Sequence, residues 1–214
     1  MEASDGLLPP TYKACDYLQT SGFDARIDTG IPGNNDALVF DFDFATITRQ
    51  AYAGAFGNYT NDNTRCWRML NPSGTGDSRM YHTNAFNAKG SSTITSYAVP
   101  TDDSIIGARI NFHISSGRVE TKYGSYTSVG TKEADGTTAI SIMNICIGAP
   151  NPTRTGGSLV GRFWHFKIWD GSVLVRNYIP CVRKRDNKAG FYDLANHSFN
   201  PSIGTVDFIA GYDT

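Results

Sequence analysis

GRFWHFKIWDGSVLVRNYIP, Gly161 to Pro180, is the stretch whose reading decides the fold. From Phe163 to Trp169 it places four aromatic residues and a histidine in seven positions. Such a cluster is either a ligand platform or the inside of the molecule. Successive side chains of a strand point to opposite faces, so Trp164, Phe166 and Ile168 share one side, and Phe163, His165, Lys167 and Trp169 the other. The first set is wholly apolar and is expected in the core. Asp170-Gly171 reads as a two-residue hairpin turn, a pair that accepts positive φ, with SVLVRNYIP as the returning strand. Packing accounts for most of the rings, and Phe163, His165 and Trp169 are left for contact.

The same alternation recurs outward from this stretch. In DALVFDFDFATIT, Leu38, Phe40, Phe42 and Phe44 oppose Val39, Asp41, Asp43 and Ala45. In SIIGARINFHIS, Ile106, Ala108, Ile110, Phe112 and Ile114 oppose Arg109, Asn111 and His113. Turn clusters such as GNYTNDNT, NPSGTGDS, EADGTT, APNPTRTGG and RKRDNKAG separate the runs. Strand-length runs between regular turn signals point to an all-β sandwich or barrel. No long 3.6-period segment, solenoid repeat or internal linker interrupts them. The expectation is an N-terminal arm, residues 1–11, and one domain over 12–214.

Composition narrows the function classes. Nineteen Lys and Arg stand against twenty Asp and Glu, a net charge of −1. That balance removes the electrostatic case for nucleic acid, which wants a strongly basic surface. Only 18% of residues are charged, while 22 Gly, 11 Tyr and 12 Phe suit strands joined by tight turns. No segment reaches the roughly 18 consecutive apolar residues of a membrane span, so no insertion is expected. The opening MEASDGLLPPTYK has neither a basic start nor an apolar run, so it does not read as a secretory signal. Cys15, Cys66, Cys146 and Cys181 form no C-x-x-C pair, so zinc is not expected and the thiols read as free. Cys146, inside ISIMNICIG, reads as a buried hydrophobe.

Two ends of the chain carry a shared pattern. DYLQTSGFDARIDTGIP (Asp16 to Pro32) and FKIWDGSVLVRNYIPCVRKRDNKAGFYDLANHSFNPSIGTVDFIAG (Phe166 to Gly211) together resemble concanavalin A-like, laminin-G-like jelly rolls. Such domains occur in virion proteins of tailed phages and in surface proteins of gut bacteria. The opening match is Tyr17, Gly22, Ile27, Asp28, Thr29, Gly30 and Pro32. The closing match runs from Lys167-Ile168-Trp169-Asp170 through Leu174, Val175, Arg176, Ile179 and Pro180. It continues with Gly190, Tyr192, Asp193, Phe199, Gly204, Thr205 and Phe208. The resemblance implies a jelly-roll sandwich of two antiparallel sheets and a virion or bacterial-surface setting; fold alone does not license an activity. Asp28, Arg176 and Asp193 read as structural rather than catalytic.

Asp41 and Asp43 share a strand face about 6.5–7 Å apart, within the roughly 5–9.5 Å of glycosidase carboxylate pairs. The acid triplets that retaining enzymes of this fold carry, E-x-D-x-x-E or E-x-D-x-E, are absent. The pair therefore reads as a solvated face. His82, His113, His165 and His197 form no metal-binding spacing, and no nucleophile motif or P-loop is present. No enzyme is expected. A glycan site wants an open ring beside amides and carboxylates. The best supply is Tyr59, Asn61, Asp62, Asn63, Trp67, Arg68 and Tyr81, although alternation in RCWRML equally turns Trp67 into the core. Asp62 and Asp77 are the candidate ligands for Ca2+, which the resemblance allows. Their loops also suit Asn and Asp as ordinary turn formers.

Three functional expectations follow. The first is a non-enzymatic virion surface module, a decoration, fibre or receptor-binding component made in the host cytoplasm, that engages cell-surface glycans. The second is a structural virion protein that binds its own copies or the capsid or tail. The third, disfavoured, is a polysaccharide-cleaving glycoside hydrolase. A bacterial cell surface is the alternative location.

Overall fold

The computed structural model describes residues 6–20, 24–48, 54–61, 64–70, 82–87, 94–95, 106–134, 139–153 and 160–213. In chain order the strands begin with β1 (Tyr12–Ala14), β2 (Tyr17–Gln19), β3 (Ile27–Pro32), β4 (Leu38–Thr48), β5 (Gly54–Gly57) and β6 (Arg68–Leu70). Next come β7 (His82–Thr83), β8 (Ile94–Thr95), β9 (Ile110–Ser115), β10 (Arg118–Tyr123), β11 (Tyr126–Thr131) and β12 (Asn144–Ile147). The last are β13 (Val160–Asp170), β14 (Val173–Arg183), β15 (Lys188–Asp193), β16 (Ser198–Pro201) and β17 (Ile209–Gly211). The larger sheet runs β11-β10-β9-β4-β13-β14-β15-β16, with β1, β2 and β17 joined to its flank, and the smaller runs β3-β12-β5-β6-β7-β8. All named strand pairs are antiparallel. The architecture is the expected all-β jelly-roll sandwich of two antiparallel sheets.

Alternation in β4 sends Phe40, Phe42 and Phe44 inward, each fully buried. Strand pairing then aligns rings across neighbours: Phe42 stacks on Phe112 of β9 (5.3 Å, 15°) and on Phe166 of β13 (4.7 Å, 12°). From the facing sheet, Phe56 packs on Phe40, Phe42 and Phe166 at 5.2, 5.3 and 5.7 Å. Each such pair contributes roughly 0.5–1.5 kcal/mol beyond area burial. All four cysteines are free and buried. Burial pushes the Cys15, Cys146 and Cys181 thiols up to about 12.

Three readings of the sequence are corrected. The first concerns the deciding stretch. Phe163 pairs with Phe44 and His165 with Asp43, so β13 carries one extra residue, Trp164, at a β-bulge. The bulge exchanges the expected faces: Phe163 joins the core, fully buried, and Trp164 leaves it for the outer face. Second, the hairpin turn is Gly171-Ser172, with Asp170 paired to Val173 and Gly171 at φ 59°. Third, β9 begins at Ile110, because Gly107 at φ 83° breaks the extended run and leaves Ile106 exposed.

The two ends that carry the shared pattern meet in space. β2 pairs with β13 on one side and β17 on the other, and β1 pairs with β14. Arg176 of β14 reaches across to β3, where Nε and Nη2 donate to the Thr29 carbonyl at 3.0 and 2.8 Å. Its Nε also lies 3.6 Å from the buried Asp193 carboxylate. Asp193 accepts the amides of Asn177 and Ala195, and Asp28 that of Gly30. These matched residues hold the sheets and turns together.

Candidate functional site

Side chains that alternate away from the core on β9, β4 and β13 converge on the outer face of the larger sheet. The register sets Asp43 beside Asn111 and His165, and Asp41 beside His113 and Lys167. Asp43 is the anchor. Its Oδ2 accepts from Arg109 Nε at 2.6 Å and its Oδ1 from Asn111 Nδ2 at 2.9 Å. Asp41 bridges two histidines, with His165 Nε2 2.9 Å from Oδ1 and His113 Nδ1 3.4 Å from Oδ2. His165 Nδ1 also lies 3.7 Å from Asp43 Oδ2, so the imidazole links both carboxylates.

Electrostatics follow from that geometry. Burial alone would raise the Asp41 carboxyl, but hydrogen bonds and charge from His165 and His113 outweigh it and hold it below its ordinary value. An ionised carboxylate only accepts, so the proton of the His165–Asp41 bond sits on Nε2. The open groups of the face are His113 and Arg109, whose side chains are 43% and 41% exposed. Trp169 is half-buried at one end, paired with Val39, about 13 Å along β4 from Asp43 at ~3.3 Å per residue. Trp164 closes the other end. It is covered by Tyr17 (5.4 Å between rings) and the Arg109 guanidinium (5.1 Å), and its indole donates to Asp213 at 2.9 Å.

Of the Tyr59–Tyr81 segment, the described residues settle the placement of Tyr59, Asn61, Trp67 and Arg68. Trp67 is fully buried against Phe40 (4.9 Å) and Phe86 (5.5 Å), so it cannot serve as an open stacking ring. Arg68 is also buried, donating to Asn84 at 2.9 Å with its guanidinium 4.2 Å over the Tyr59 ring. That leaves Tyr59 half-buried beneath a cation and Asn61 exposed in a turn with Thr64. Asp62, Asn63, Asp77 and Tyr81 lie outside the described residues. Among the described residues, no three His, Cys, Asp or Glu side chains gather to hold a metal ion.

The outer-face network itself was half legible. Asp41, Asp43, Asn111, His113, His165 and Trp169 each stand on the polar side of an alternating run. Their meeting was not, because β4 lies between two strands far from it in sequence. Trp164 was missed because the alternation rule fails at a bulge.

Neither a protein-family model nor a curated protein matches this chain. Among solved structures it is similar to domains LG4-5 of the mouse laminin α1 chain, at 15% identity and a TM-score of 0.47, over 76% of this chain and 44% of that one. It is also similar to a native heptameric SAP-like pentraxin from Limulus polyphemus, at 12% identity and a TM-score of 0.46, over 96% and 91% of the two chains. The chain thus spans less than half of the laminin structure. At these identities no residue's role passes from either protein to this one.

Proposed function

We propose that this chain is a non-enzymatic recognition module of a virion surface, and that the outer face of β9, β4 and β13 engages a glycan. One observation carries the reading: a network of two carboxylates, two imidazoles, an amide and a guanidinium stands on an open sheet face with Trp169 at its end. Fixed acceptors and donors beside a ring are what a hydroxyl-rich ligand with an apolar face requires. Hydrolysis is disfavoured on the same geometry. A general acid needs a raised pKa, whereas Asp41 is lowered and Asp43 is committed to Arg109 and Asn111. The virion setting rests on the sequence pattern of the two chain ends, with a bacterial surface as the alternative.

The structural reading has its own support. Ile203, Val206, Ile209 and Tyr212 are exposed near the C-terminal strand, an apolar set suited to contact with a second copy or a capsid or tail protein.

The test is binding of the purified chain to a glycan and bacterial-polysaccharide array, with Trp169→Ala and Asp41→Asn alongside. A specific signal that each variant weakens at least tenfold while remaining folded is expected, with no new reducing ends. A calcium chelator is expected to leave that signal unchanged. Calcium-dependent binding that survives both substitutions would move the site to the Asp62 and Asp77 loops. A blank array with a folded sample would transfer the assignment to the structural reading.

A further inference from the structure

RKRDNKAG, Arg183 to Gly190, is a turn cluster in sequence that the sheet face does not use. Arg183 ends β14, Lys188 begins β15, and Lys184, Arg185 and Asp186 are exposed on the turn between them. The end of the N-terminal arm lies against this turn. The Lys184 amide donates to the Thr11 carbonyl at 2.9 Å, and Lys184 Nζ donates to the Pro10 carbonyl at 2.7 Å. Between the two segments opens a pocket of about 510 Å³, lined by Pro10, Thr11, Tyr12, Arg183, Lys184 and Arg185.

Its walls are fixed. The Tyr12 ring packs 4.9 Å from Tyr192 and 5.4 Å from Phe199, and the Arg183 guanidinium lies 4.6 Å over Phe199. Asp186 grips Arg183 with both oxygens, at 3.0 Å to Nε and 2.6 Å to Nη2. Half of the described lining residues are cationic, and the Asp186 carboxylate is already committed to Arg183. Among the described residues, Arg185 has no hydrogen bond or ion pair. Among the described residues, three cationic side chains thus stand at this pocket beside the single carboxylate of Asp186. Guanidinium forks match the oxygen geometry of phosphate and sulfate. A nucleic-acid strand would need a basic track along its backbone, and the charge here is confined to a single turn.

We infer that the pocket between Pro10–Tyr12 and Arg183–Arg185 binds a phosphate or sulfate group; that a polysaccharide carries it rests on the proposed glycan function. The anion site itself is independent of the sheet face, because none of its residues belongs to that network.

Amide NMR spectra of the full chain would be titrated with inorganic phosphate, inorganic sulfate, dextran phosphate, dextran sulfate and plain dextran. A single-stranded oligonucleotide completes the series. Saturable shifts confined to residues 10–12 and 183–186 are expected with the charged polysaccharides, weaker ones with the free anions, and none with plain dextran. Arg185→Gln should weaken binding at least fivefold without moving the unfolding midpoint. The ratio between the two polymers identifies which ester is preferred. Absence of saturable shifts, or equal binding by Arg185→Gln, overturns the site. Tighter binding of the oligonucleotide than of either polysaccharide overturns the carrier.

Discussion

Asp41 illustrates how a single residue reads differently in sequence and in space. In sequence it is a polar position on a strand, and a solvated face is the simple reading. In the structure it accepts from two histidines on two different strands, which holds its carboxyl below its ordinary value. A depressed folded-state pKa means that the charged form stabilises the fold. That contribution is fully present above the unfolded value of about 3.9 and is lost as pH falls through the lower, folded one. Asp41→Asn should therefore be less stable than the parent at pH 5, with the difference closing at more acidic pH. Urea unfolding midpoints at pH 5 and pH 2.5 check this; a difference that persists undiminished at pH 2.5 would contradict it.

At the scale of the element, β13 is the instructive case. Its residues alternate correctly from His165 to Trp169, and the bulge at Trp164 reverses the order before that point. A regular strand and a bulged one make opposite predictions for neighbouring aromatic residues. With the bulge, Phe163→Ala removes a ring packed on Phe44 (4.7 Å) and should cost about 3–5 kcal/mol. Trp164→Ala, at a residue buried under Tyr17 and Arg109 on the outer face but outside the inter-sheet core, should cost less. Chemical denaturation of the two variants compares them directly, and a larger loss for Trp164→Ala would refute the bulged register. The same element supplies His165 and Trp169 to the outer face and Phe166 and Ile168 to the core, so one strand serves both the packing and the polar network.

At the scale of the whole molecule, the sandwich is fastened by the residues that carry the shared terminal pattern. Arg176 links β14 of one sheet to the Thr29 carbonyl of β3 in the other, with Asp193 buried beside it. Replacing it leaves a carbonyl without its donor and a buried carboxylate without its cation. Arg176→Met is expected to lower stability by about 2–3 kcal/mol, read from urea unfolding, while leaving the β-sheet far-UV signal of the folded fraction unchanged. The pattern is therefore a signature of the scaffold, which explains why it identifies a fold so well and an activity so poorly.

The sequence by itself determined the all-β class, the inward face of β4, and the polar character of positions such as Asp41, Asp43, Asn111 and His113. These follow from a two-residue period and from turn chemistry, both local properties. Only the tertiary structure decided that those polar positions form one network, that Trp164 and Phe163 exchange faces, and that Trp67 is core. Strand adjacency in an antiparallel sandwich is long-range: β4 pairs with β9 and β13, whose first residues lie 62 and 112 residues beyond its last. The Asp43–Asn111 bond itself spans 68 residues and the Asp41–His165 bond 124. No local pattern encodes separations of that size. They are settled by which hydrophobic faces bury one another, and the polar side chains on the opposite faces are brought together as a consequence.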